Sequence, residues 1–301
     1  MQLGKFSPVV AQAQKTPRRV CMVGSGGGDE IDSLCRAAEC GLVKKCLLVG
    51  DFQHWERLSG TGIETEWIEA SAEEACWLGA RLTGEGAADV LIKGNVKSGE
   101  FLKAVLDRNA NLRTDSILSH IAVLDVPALG YLVGITDGGL NIAPDVEEKK
   151  AILKNGVICM QGLGAARPHV ALLAASENVS VSMPATTHAA HLTQWAAAAC
   201  PDALVEGPLA FDLAVSRDAL RRKGIESRLQ GRADVWLTPN IECGNMVAKC
   251  LISFSAALMA GVVMGAKVPL VLTSRADQPA SKLVSLAVAN QLVRNGQEVS
   301  E

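Results

Sequence analysis

A Ser-Arg pair, Ser274–Arg275, closes the segment VPLVLTSRAD near the C-terminus. The apolar, β-branched run Pro269 to Thr273 before it suits a buried strand, and a helix-like stretch runs from Ser281 towards Leu292. In parallel α/β sheets, ligands bind outside the carboxyl ends of the strands. A hydroxyl and a guanidinium placed there offer a hydrogen bond and a planar cationic fork, and the fork suits phosphate or carboxylate. A strand-end turn with a solvated Arg fits the same local sequence.

Three more loops sit between a strand-like run and a helix-like one. ITDGGLNIAPD carries Asp137 and Asn141, and Pro144 with the acids after it suits a first helical turn. VEGPLAFD carries Glu206 and Asp212 about a Gly-Pro turn. WLTPNIECGNMVAK leads through Gly244 and Asn245 into an apolar helix whose free N–H groups suit an anion, with Lys249 one turn on. Each is also readable as an ordinary turn. All three follow strands, so one crevice could gather them.

Other motifs carry less. VCMVGSGGGDE has the strand-loop-helix setting of a phosphate cradle. A dinucleotide fingerprint starting at Gly24 needs glycine at position 29, where Asp29 stands, and no Lys-Ser or Lys-Thr follows. Asp29 and Glu30 would repel phosphate, so Gly24 to Gly28 reads as a flexible turn. His188 and His191 share a helical face at metal-ligand spacing, but no acid or cysteine lies near in sequence, so surface or capping histidines are expected and no metal site. No GxSxG nucleophile elbow occurs.

The elements that must hold these residues alternate. Strand-like runs lie at 19–23, 45–49, 89–93, 121–124, 131–136, 169–174, 203–206, 234–238 and 268–273, with helix-like stretches between them. Such spacing implies crossover connections and a mostly parallel sheet. The pattern breaks near LDVPALGY and again near 260–267. These breaks predict a discontinuous α/β domain of residues 1–127 with 262–301, and a second of 128–261. The uncharged run Cys250 to Ala266 is slightly short for a membrane span and reads as a buried helix.

Bulk composition narrows the function. A chain of 301 residues, 49% apolar and 20% charged, suits one large or two ordinary globular domains. A net charge of −3 leaves no basic excess for nucleic acid. Nine cysteines without a CxxC imply free thiols in a reducing compartment, hence a cytoplasmic protein. The N-terminal segment lacks the continuous apolar core of a secretory signal.

Taken in order, ADVLIKGNVKSGEFLKAVL, LRTDSILSHIAVLDVP, ITDGGLNIAPD, VALLAASENV, MPATT, VEGPLAFD, ADVWLTPNIECGNMVAK and GAKVPLVLTSRAD resemble the phosphate acyltransferases. That family comprises phosphate acetyltransferases and phosphate butyryltransferases, and LTSRAD and LSHIAVLDVP resemble the butyryl branch more. The resemblance implies a two-domain, isocitrate/isopropylmalate-dehydrogenase-like α/β fold with mostly parallel sheets and an interdomain cleft. It implies reversible transfer of a short acyl group between CoA and inorganic phosphate in a ternary complex, by homodimers or larger homo-oligomers. Acyl-CoA is then a substrate, no cofactor is permanently bound and no metal takes part.

By the same resemblance, Ser274 hydrogen-bonds the reacting thiol or carbonyl, and Arg275 holds phosphate and the developing oxyanion. Lys93, Gly94 and Asn95 line the CoA side; Gly244, Asn245 and Lys249 belong to the Gly-Asn loop. One departure stands out: the acetyl branch has an Asp, its proposed thiol base, where this chain has Ser281, while Asp277 sits elsewhere on the turn. The base is therefore open, and bound phosphate could accept the proton. Two rival readings are a catalytically silent CoA-binding relative and a nicotinamide-dependent dehydrogenase of the same fold.

Overall fold

The computed structural model describes residues 2–272 and 277–293. The first part of the chain runs α1 (Ser7–Ala13), β1 (Arg18–Gly26), α2 (Gly28–Glu39), β2 (Val43–Phe52), α3 (Glu56–Ser59), β3 (Glu64–Ile68), α4 (Ala72–Gly84), β4 (Val90–Lys93) and α5 (Ser98–Val105). Then come β5 (Ser119–Asp125), β6 (Leu132–Thr136), α6 (Val146–Gly162), β7 (His169–Leu173), α7 (Pro184–Ala199), β8 (Leu204–Leu209), α8 (Phe211–Val215), α9 (Arg217–Lys223), β9 (Val235–Leu237) and α10 (Ile241–Ser255). The chain closes with β10 (Leu258–Met264), β11 (Leu270–Val271) and α11 (Pro279–Leu292).

Two compact units result. One comprises Met1–Ser116 with Ala260–Glu301, the other Ile117–Met259. The first break thus falls at 116/117 rather than the expected 127/128. The physical reason is pairing: β5 runs antiparallel to β6, Ala122 opposite Ile135, and so folds with the second unit. The return falls at 259/260 rather than 261/262.

In the first unit the strand order is β3-β2-β1-β4-β11-β10. All neighbours are parallel except β10 with β11. β1 is buried through five successive residues, Val20 to Gly24, as expected of a parallel strand covered on both faces. α4 covers it through Gly79, where an added Cβ would overlap Val23 Cγ1. Ser71 and Glu74 start α4 with reciprocal bonds, Glu74 N–H to Ser71 Oγ at 3.4 Å and Ser71 N–H to Glu74 Oε2 at 3.2 Å.

In the second unit the order is β5-β6-β9-β7-β8, parallel from β6 onward. Trp236 of β9 is 1% exposed and meets Phe211 edge-on, ring centroids 4.9 Å apart. The Asp145–Glu148 capping box starts α6, with both bonds at 2.8–2.9 Å.

The helix expected over Cys250 to Ala266 is two elements. α10 stops at Ser255, Ala256 turns to φ +53°, and Leu258–Met264 is β10. An apolar run of this kind has no period that separates a buried strand from a buried helix. Nor is α10 buried on all sides: Phe254 is 89% exposed. β3 was not expected, because its alternation of Glu64, Thr65, Glu66, Trp67 and Ile68 is mostly polar; it is an edge strand.

Candidate active-site loops

Within the first unit, β1, β4 and β11 are parallel neighbours, so the loops after β1 and β4 leave the same edge of the sheet. Lys93–Asn95 is laced to the end of β1. Gly94 N–H donates to Val23 O at 2.9 Å and Asn95 N–H to Ser25 O at 2.8 Å. A Cβ at Gly94 would stand 2.8 Å from Val23 O, so glycine is required by that close approach. Lys93 Nζ donates to Gly94 O and Val96 O, each at 3.2 Å. The backbone thus fixes this cation at the sheet edge.

Packing accounts for part of the Gly24–Gly28 run. A Cβ at Gly24 would overlap Val96 Cγ1, and one at Gly26 would lie 2.7 Å from the Phe52 ring. Gly27 precedes α2 and cannot cap it with a side chain; Glu30 Oε2 instead accepts from Gly27 N–H at 3.2 Å. These contacts account for Gly24 and Gly26, whereas a Cβ at Gly27 or Gly28 would meet nothing within 4 Å.

The same edge holds a pocket open to solvent. Lys93, Gly94 and Asn95 line it, and so does Val271 of β11. Ser274 and Arg275 lie outside the described residues, three and four positions after Val271 in sequence. Lys282, from the first turns of α11, also lines the pocket, and local sequence gave no signal for it. Ser281 is half-buried in that helix, its carbonyl accepting from Ser285 Oγ at 2.7 Å.

In the second unit, Asp137, Asn141, Gly244 and Asn245 come together. Asp137 is 3% exposed and its carboxylate accepts from five N–H groups. They are His120 N (3.1 Å), Gly139 N (2.7 Å), Leu140 N (2.9 Å), Asn141 N (3.4 Å) and Asn141 Nδ2 (2.6 Å). Asn141 Nδ2 also donates to Leu118 O at 2.9 Å. The pair holds the loop in shape.

Gly138 and Gly244 let that loop meet the first turn of α10 backbone to backbone. A Cβ on Gly138 would lie 2.7 Å from Gly244 C, and one on Gly244 would lie 2.6 Å from Asp137 O. Asn245 Nδ2 donates across this contact to Gly138 O at 3.0 Å. Asn240 caps α10 by accepting from Cys243 N–H at 3.0 Å. Lys249 is exposed one turn along.

Glu206 and Asp212 do not join this group. β8 is separated from β6 by β7 and β9. Glu206 Oε2 accepts from Arg228 N–H at 2.8 Å and Leu229 N–H at 3.3 Å, and Asp212 pairs with Lys223 at 3.4 Å.

His188 has a partner that spacing did not reveal. Lys149, 4% exposed on α6, places Nζ 3.0 Å from His188 Nδ1, where the ammonium can donate to a neutral ring nitrogen. Desolvation first, and then the Lys149 charge, hold His188 below its ordinary 6.5, with His191 adding to the effect and Asp145 opposing it. Burial also lowers Lys149 from 10.5. Among the described residues no group of three or more His, Cys, Asp or Glu is arranged to hold a metal.

A 4-hydroxythreonine-4-phosphate dehydrogenase from Klebsiella pneumoniae, 12% identical, aligns over 93% of this chain and all of its own with a TM-score of 0.54. That likeness establishes the dehydrogenase-like α/β class of the fold. Residues 51–290 match the family described as "Phosphate acetyl/butaryl transferase". A Bacillus subtilis (strain 168) protein named "Probable phosphate butyryltransferase" is 39% identical over 289 residues, covering 95% of this chain and 97% of that one. A branched-chain phosphotransacylase from Enterococcus faecalis V583 is 30% identical, covers 91% of this chain and 98% of its own, and superposes with a TM-score of 0.82. The chain belongs to the phosphate acetyl/butyryl transferase family.

Two predictions come from these contacts. Asp137→Asn sets an NH₂ against backbone N–H groups that now share a carboxylate; hydrogen bonds to charged groups contribute about 1.5–3 kcal/mol. Thermal unfolding at neutral pH should occur at clearly lower temperature, and an unchanged transition would show that the loop does not rely on Asp137. The second concerns pH. With the folded pKa of His188 below 6.5, the unfolded chain binds more protons just under that pH, so His188 subtracts stability as pH falls through that window. Between about pH 7 and pH 5.5 the melting temperature of His188→Gln should therefore fall less than that of the wild type. Parallel curves would refute the assignment.

Proposed function

We propose that this protein transfers a short acyl group reversibly between CoA and inorganic phosphate, acyl-CoA plus phosphate giving acyl phosphate plus CoA. The observation that carries the reading is the family match over residues 51–290, which includes Lys93–Asn95, the Asp137 loop, Gly244–Asn245 and Ser274–Arg275. The names of the two close relatives point to a butyryl-like or branched acyl group.

Phosphate attacks the thioester carbonyl, and the tetrahedral oxyanion collapses with loss of the CoA thiolate, which takes up a proton. Holding both substrates together removes an entropic barrier, and positioned cations and N–H donors stabilise the oxyanion. Arg275 is assigned to phosphate and the oxyanion, and Ser274 to the reacting thiol or carbonyl. Lys93, Gly94 and Asn95 are assigned to the CoA side. Asp137 and Asn141 shape a substrate loop that meets Gly244 and Asn245, with Lys249 one turn on; Glu206 and Asp212, tied to Arg228, Leu229 and Lys223, lie apart from it. In this direction the attacking hydrogen phosphate gives its proton to the departing thiolate, and in the reverse direction the phosphoryl group takes the proton of the CoA thiol, where Ser281 replaces a carboxylate. No resident cofactor or metal is needed.

Nine free cysteines support a reducing, cytoplasmic setting. No helix among the described residues is long and apolar enough to cross a membrane. A homo-oligomer is supported by α10, which exposes Met246, Cys250 and Phe254 at successive turns.

The test is thiol release from acetyl-, butyryl- and isobutyryl-CoA, with and without phosphate. Release that requires phosphate and yields acyl phosphate is expected. Arg275→Lys keeps the charge but loses the bidentate fork, and should lower turnover by at least tenfold with the fold intact. Near-wild-type kinetics in phosphate would remove Arg275 from its role. CoA binding without any release would favour a silent relative.

A further inference from the structure

The pocket at the carboxyl ends of β1, β4 and β11 is divided by chemistry. Its floor is hydrocarbon: Met22, Ile92 and Val271 from the strands, Leu34, Ala37 and Leu286 from α2 and α11. Each of the six is at most 5% exposed. Its polar members are Lys93, Asn95 and Lys282, together with Glu30 and Ser33. Glu30 is tied to Gly27 N–H and Ser33 Oγ donates to Asp29 O at 2.7 Å, so both are engaged locally. Lys282 has no ion pair or side-chain hydrogen bond among the described residues.

Water on such a floor lacks the two to four polar partners it needs, so an apolar group that displaces it gains. Inorganic phosphate alone has no use for six hydrocarbon walls. A molecule with a short apolar tail and a polar reacting head fits both halves. In sequence, Val271 stands three residues before Ser274.

Resting on the activity proposed above, we infer that this pocket receives the acyl chain of the substrate, and that Ala37 sets how long a chain it admits. Ala37 is the smallest side chain of the floor, and it sits on α2, the helix that follows the glycine run. Enlarging it takes space from the chain without touching a polar group. One methylene in an apolar pocket changes selectivity by about 10–200-fold, and butyryl exceeds acetyl by two.

The experiment is a calorimetric titration of wild type, Ala37→Val and Ala37→Leu with CoA, acetyl-CoA and butyryl-CoA, read as affinity ratios. In the wild type, butyryl-CoA should bind at least tenfold more tightly than CoA. The ratio should fall in Ala37→Val and approach one in Ala37→Leu. A ratio is independent of the folded fraction, so partial misfolding of a variant does not blunt the test. Equal binding of butyryl-CoA and CoA by the wild type, or an undiminished ratio in both variants, overturns the inference. Thiol release is measured separately on the same samples: a chain-length preference without phosphate-dependent release refutes the activity and leaves the pocket, whereas release without that preference refutes the pocket.

Discussion

Parallel strands can be joined only by connections that return the chain to the starting edge of the sheet. Everything placed at the candidate site follows from that constraint. β1 and β4 are parallel neighbours, so the Gly24 loop and Lys93–Asn95 leave the sheet side by side although they are far apart in sequence, and β11 is paired parallel to β4. Hydrogen bonds from Gly94 and Asn95 to the end of β1 then fix one of those loops against another. In the second unit, β6 and β9 are parallel neighbours for the same reason, and the Asp137 loop meets the start of α10.

Once loops are forced together, backbone proximity decides which residues can stand there. Gly94, Gly138 and Gly244 each occupy a place where a Cβ would stand under 3 Å from another backbone atom. Asp137 then directs its acceptors to five N–H groups and holds them in one arrangement. Residues of this sort look catalytic in a motif, yet their measurable role is to hold the shape on which binding depends. The pocket beside Lys93 is the complementary case: its floor is buried hydrocarbon.

The sequence made the alternation of strands and helices legible because β1, β4 and β7 each hold a buried apolar run between helix-like stretches. It misread Cys250 to Ala266, where the left-handed turn at Ala256 ends a helix inside an unbroken apolar run. It missed β3, whose exposed edge position needs little apolar alternation. For the site, the strand-end loops were visible as motifs, but partnership was not. Nothing in the local sequence pairs Lys149 with His188, which are 39 positions apart and meet only through α6 and α7. Lys282 likewise gains its meaning from a pocket built by three strands and two helices.

The central claim is direct transfer within a ternary complex, with no acylated enzyme. Initial rates measured over a grid of butyryl-CoA and phosphate concentrations test it most directly. The account predicts reciprocal plots that intersect, because both substrates must be bound before the acyl group moves. Parallel lines, together with release of CoA from butyryl-CoA before phosphate is added, would mark a ping-pong path through a covalent acyl-enzyme and contradict it.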